Sequence, residues 1–170
     1  MDDLRIGLKK KPDGAAALSC RRADGSVTWQ RQDRAQGRFF PLHDLTHYAV
    51  ETVLGYACGF YGLVAAGWDL SDFGQPWPKG ALPSEALLAE LLVGFLDSER
   101  AAGAEWPAAQ LADMAATYGA AHGATLACHV TDRELATIRA RRRELFAHWA
   151  ALPAGATLNL RFPRPLDGDA

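Results

Sequence analysis

A chain of 170 residues, 49% hydrophobic and 22% charged, is long enough for one domain with a single substantial core. A net charge of -2 and a pI near 6.2 argue against a general nucleic-acid binder, which carries a basic excess. Three widely spaced cysteines, Cys20, Cys58 and Cys128, form no CxxC pair, which speaks against a disulfide framework and for a reducing cytoplasm.

The charged N-terminus lacks the apolar core of a signal peptide. Leu4, Ile6 and Leu8 alternate with polar or small residues, the period-two sign of a half-buried strand. Pro12-Asp13-Gly14 makes a turn, and Leu18 and Cys20 resume the alternation. Asp24-Gly25 then favours a tight hairpin into Val27 and Trp29. Residues 1–32 therefore read as a three-stranded antiparallel meander.

A helix is expected from Pro41 to about Ala66, with Pro41 in its first turn and Asp44 placed to favour the helix dipole. Its later turns, Thr52 to Trp68, hold no charged residue, so the helix is read as central and covered on several sides. Interruption by Gly55, Gly59, Gly62 and Gly67 fits a buried helix better than a membrane span. Gly55 and Gly59, four apart, are read as letting another helix approach closely. The following loop, 67–83, carries Trp68, Phe73 and Trp77, and is expected to pack over the core or a pocket mouth. Ser84 caps the next helix, Pro107 opens another, and Thr131-Asp132-Arg133-Glu134 is a capping box for the last. Arg139, Arg141, Arg142 and Arg143 on that last helix read as a solvated face. Thr157 to Phe162 alternates again as a final strand. The expected fold is α+β in one domain, 1–170. A small sheet from 1–32 and 157–162 packs with a four-helix insertion spanning 41–152.

The chemistry concentrates in Phe40-Pro41-Leu42-His43-Asp44-Leu45-Thr46-His47-Tyr48-Ala49-Val50-Glu51. At 3.6 residues per turn, His43, His47 and Glu51 share one helix face with Asp44 at its edge. Histidines four apart lie one turn apart and are spaced to hold a metal ion between them, zinc being the first candidate. Asp44, next to the first histidine, takes the place of a base acting on metal-bound water, with a side chain one methylene shorter than Glu. Glu51 lies about 6 Å along the axis from His47 and about 12 Å from His43, so accepting a hydrogen bond from the His47 ring suits it better than ligation. A third protein ligand must come from elsewhere. His122, His129, Glu90, Asp113 and Asp69 are the candidates, with the two histidines favoured on residue type. A plainer reading stands beside this one, in which Asp44 complements the helix dipole and His47 and Glu51 form an ordinary polar pair.

The phrase HDLTH resembles the HExxH motif of zinc metallohydrolases, which implies hydrolase-like chemistry; a small-molecule substrate is the expected partner, the charge and the interrupted apolar run speaking against nucleic acid and membrane. HDLTHYAVE followed by LGYACGFYGLVAAGW looks like a family of uncharacterised bacterial proteins with an HDxxHxxxE helix, over most of the chain. The ubiquinone-biosynthesis coordination proteins also carry HDxxH, with a later glutamate where this sequence has Gly59. His43-Asp44 resembles, too, the ligand pair of HD-domain phosphohydrolases. The alternative function is a non-enzymatic interaction protein in which the histidine helix is structural and the aromatic loop and arginine helix meet a partner.

Overall fold

The computed structural model describes residues 3–33, 35–74 and 78–163; Trp77 lies outside them. β1 (Leu4–Lys10), β2 (Ala16–Arg21) and β3 (Val27–Gln32) form the antiparallel meander, and β4 (Thr157–Phe162) pairs with β1. The four-stranded order is therefore β3-β2-β1-β4. Both turns rest on glycines with positive φ, Gly14 and Gly25, where a Cβ would be strained. Asp24 Oδ1 accepts from Ser26 N at 2.8 Å and fixes the second turn. Leu4, Ile6, Leu8, Leu18 and Cys20 point to one face and enter the core. On the opposite face Arg5, Lys9, Arg21, Trp29 and Arg161 are exposed.

Between β3 and β4 lie α1 (Gln36–Leu54), α2 (Phe60–Ala65), α3 (Ser84–Ala102), α4 (Ala108–Ala121) and α5 (Asp132–Ala151), plus a short 3-10 turn at Leu70–Phe73. No helix is long and apolar enough to cross a membrane among the described residues. The α+β class and the position of the final strand follow the sequence pattern.

Several details depart from it. The helix expected over 41–66 is two helices. Gly55 takes the left-handed conformation (φ 68°) and ends α1, and Cys58 lies exposed in the link before α2. Gly59 makes room for a side chain rather than a helix, because a Cβ there would sit 2.5 Å from Glu51 Cδ. α1 also begins five residues before Pro41, whose missing N–H forgoes only one helical bond. Asp44 is consequently beyond the first turn and owes nothing to the helix dipole. Ser84 is the first residue of α3 and makes no side-chain cap.

The arginine cluster is not one solvated face. Arg139 and Arg142 are buried, and both fasten α5 to α3. Arg139 donates to Glu99 Oε2 at 3.2 Å and to the Trp106 carbonyl at 2.7 Å, while Arg142 donates to the Leu96 carbonyl at 2.7 Å. Arg143 stays exposed and Arg141 pairs with Glu144. At the other end of α5, Lys10 from β1 donates to the carbonyls of Trp149 and Leu152 at 2.6 and 2.8 Å, satisfying groups the helix leaves unpaired.

The three thiols have different environments. Cys20 is buried beneath the sheet, where desolvation, reinforced by the charge of Asp44, pushes its thiol up to about 12. Cys58 is exposed and Cys128 intermediate. Under native conditions a disulfide-exchange reagent should label Cys58 first and Cys128 more slowly, with Cys20 labelled only on unfolding. Peptide mapping by mass spectrometry checks the order, and labelling of Cys20 at the Cys58 rate would contradict it.

Candidate metal centre

α1 lies beside α3 in the opposite direction, so that His43 meets Asp97 and His47 meets Glu90. The pairing follows from composition. α3 buries Ala89, Leu92, Val93 and Leu96 in the core, and Glu90 and Asp97, seven residues apart, share a stripe at the edge of that face.

Each histidine has its Nδ1 engaged by a carboxylate. His43 Nδ1 lies 2.9 Å from Asp97 Oδ2, and His47 Nδ1 lies 3.1 Å from Glu51 Oε1. With Nδ1 held, Nε2 is the nitrogen left for a ligand. His47 Nε2 lies 3.4 Å from Glu90 Oε1. Ligand atoms of His43, His47 and Glu90 all lie within 4.8 Å of one another, close enough to hold one metal ion. For comparison, zinc bonds of about 2.0–2.1 Å in a tetrahedron separate neighbouring donors by roughly 3.4 Å. The group is graded in exposure. The His47 side chain is 2% exposed, that of His43 20% and that of Glu90 45%.

Glu51 is fully buried and does three things at once. Its Oε1 faces His47, and its Oε2 accepts from Tyr61 N at 3.0 Å and Gly62 N at 3.4 Å. Its carboxyl fills the space that a side chain at position 59 would need. Burial alone would lower the His47 pKa, but hydrogen bonds and charge from Glu51 and Glu90 outweigh it and push the ring up to about 10. Burial also works against the Glu90 carboxylate, and the hydrogen bond and charge of His47, with His43, hold it below its ordinary value.

Asp44 is buried as well, and it is not among the three converging residues. Gln32 Nε2 from β3 donates to its Oδ2 at 2.6 Å, and its backbone carbonyl accepts from Tyr61 Oη at 3.2 Å. Desolvation raises its carboxyl to about 6, against the pull of Gln32 and the two histidines.

Neither favoured histidine supplies the third ligand. His122 is exposed at the end of α4, bonded to the Tyr118 carbonyl at 2.8 Å and stacked on the Tyr118 ring. His129 lines a separate hollow of about 330 Å³ with Tyr56, Glu85 and Glu134. Asp69 pairs with Arg22 at 2.8 Å, and neither it nor Asp113 belongs to the converging group. Of the five candidates, Glu90 is the one that converges with the two histidines. Asp97 and Gln32 were not singled out by sequence. For Asp97 the available signal was a carboxylate seven residues from Glu90 on an apolar helix; for Gln32 there was none.

The aromatic loop reaches the centre through a chain of rings. Trp68 contacts Phe73 (5.3 Å between centroids), Phe73 contacts Phe60 (4.7 Å), and Phe60 contacts His47 (5.2 Å). The loop is anchored by Arg22, which donates to the Val64 carbonyl at 2.7 Å and to Asp69 at 2.8 Å. Comparison of the chain with protein-family models, curated proteins and solved structures finds no match.

Proposed function

We propose that this protein binds a divalent metal, zinc, through His43, His47 and Glu90, and uses it in hydrolase-like chemistry on a small molecule. The observation that carries the reading is the orientation of the histidines. Both Nδ1 atoms are held by carboxylates, His47 Nε2 faces Glu90, and ligand atoms of His43, His47 and Glu90 lie within 4.8 Å of one another. Two nitrogens and one carboxylate oxygen form a donor set used by catalytic zinc, which keeps a position open for water. When bound, such an ion brings the pKa of a coordinated water toward neutrality. Glu51 and Asp97 fix the rings, and the apolar wall of Phe60 limits water on one side. Asp44 is the candidate proton acceptor. Gln32 holds its Oδ2, and its Oδ1 carries no hydrogen bond from the described chain. The resemblance of HDLTH to HExxH supports the same assignment.

A second reading, without enzymatic activity, also has an observation behind it. His47 has a carboxylate at each ring nitrogen, which suits a protonated ring fastening α1 to α3. Metal analysis separates the two. Wild type purified without chelators is expected to carry close to one equivalent of zinc, and His43→Ala, His47→Ala and Glu90→Gln to carry little. A metal-free wild type that also fails to take up added zinc would remove the metal reading and leave the ion-pair one.

A further inference from the structure

The open face of the sheet has its own organisation, away from the histidine helix. In register across three adjacent strands stand Arg21, Arg5 and Arg161, one directly opposite the next. All three are exposed. Like charges directly opposite one another on a sheet repel, so the fold alone gives no reason for the row. Among the described residues none of the three guanidinium groups has an ion-pair or hydrogen-bond partner. Asp3 borders the row without pairing to it.

One register step along, the same face reads Trp29, Ser19, Gly7 and Asn159. Gly7 lets Ser19 lean across the strand: its hydroxyl donates to the Gly7 carbonyl at 3.2 Å, and a Cβ at Gly7 would lie 2.8 Å from Ser19 Oγ and 3.4 Å from Thr157 Cγ2. A hollow of about 620 Å³ lies over this part of the sheet, and its walls include Gly7, Ser19, Thr157, Asn159 and the three arginines. That volume is in the range of small-molecule sites. Trp29, 67% exposed, and Val27 stand on the β3 side of the same face as an apolar flank.

We propose that this hollow binds a small organic phosphate, with the phosphoryl group held by Arg5, Arg21 and Arg161 and the polar body over Gly7 between Ser19 and Asn159. Guanidinium forks match phosphate oxygens in pairs, and strands about 4.8 Å apart bring three such forks to one anion. The hydroxyl of Ser19 and the amide of Asn159 suit a hydroxylated body, and the Trp29 ring offers a stacking surface. A second copy of this chain is a poor occupant, since Arg5, Arg21, Arg161, Lys9 and Arg31 on one face would meet their own kind.

Calorimetric titration of metal-stripped protein with inorganic phosphate, pyrophosphate and ADP tests the assignment, with circular dichroism confirming that each variant folds. Wild type is expected to bind ADP or pyrophosphate with sub-millimolar Kd, and more weakly at high salt. Arg5→Gln and Arg161→Gln are each expected to weaken binding at least tenfold, and Arg133→Gln, an exposed arginine on α5, less than twofold. No binding by wild type at millimolar probe, or equal loss in Arg133→Gln, would overturn the proposal. Tighter binding of a single-stranded oligonucleotide or of anionic phospholipid vesicles than of any small phosphate would overturn the small-molecule assignment.

Discussion

Arg139→Ala is expected to lower the free energy of unfolding by about 3–5 kcal/mol, measured by urea denaturation. The Glu99 side chain is 1% exposed and that of Arg139 10%, and the two meet with paired hydrogen bonds. Removing the guanidinium leaves a buried carboxylate whose remaining partner is Trp106 N, at 2.7 Å, and strips the Trp106 carbonyl of its donor. An unpaired charge in that position costs far more than the pair contributes. The double variant Arg139→Met/Glu99→Leu should therefore recover part of the loss. Recovery stays partial because both Trp106 backbone groups lose their partners. A single-variant loss below about 1 kcal/mol would show that water reaches the pair.

The second large effect concerns the residues behind the histidines. Glu51→Gln and Asp97→Asn are each expected to weaken zinc about 10–100-fold in competition with a fluorescent chelator, with the fold retained. Neither residue belongs to the converging group; each holds an imidazole by Nδ1. Gly59→Ala should act in the same direction without touching a ligand, since its Cβ displaces the Glu51 carboxyl. If all three variants bind zinc as wild type does while His47→Ala does not, the carboxylates have no part in orienting the rings.

Much of the scaffold was legible because local rules and the fold agree. The period-two strands, the Asp24-Gly25 turn and the Thr131–Glu134 capping box all appear where the pattern puts them. His43, His47 and Glu51 share a face by helix geometry alone. What the pattern could not hold was anything set between elements. Glu90 was one of five candidates for a third ligand, ranked behind His122 and His129 on residue type, until α3 was laid against α1. The break at Gly55 was hidden because the sequence on both sides is apolar; a left-handed cap and a helix-packing glycine look alike in one dimension. Arg139 and Arg142 were misread for a related reason. Charge on a helix defaults to solvent, and only the position of Glu99 on a neighbouring helix reveals a buried partner.

The pairing of β1 has a consequence for how the chain acquires its structure. One edge of β1 is matched by β2, its immediate successor; the other waits for β4, which follows the entire helical layer. During synthesis, the strand bearing Leu4, Ile6 and Leu8 keeps a bare hydrogen-bonding edge until α1 to α5 and β4 have emerged. Closing the sheet is thus a late, long-range event that slows folding and offers other nascent chains a template in the interval. Lys10, which ties that same strand to the end of α5, acts at the junction where closure is completed.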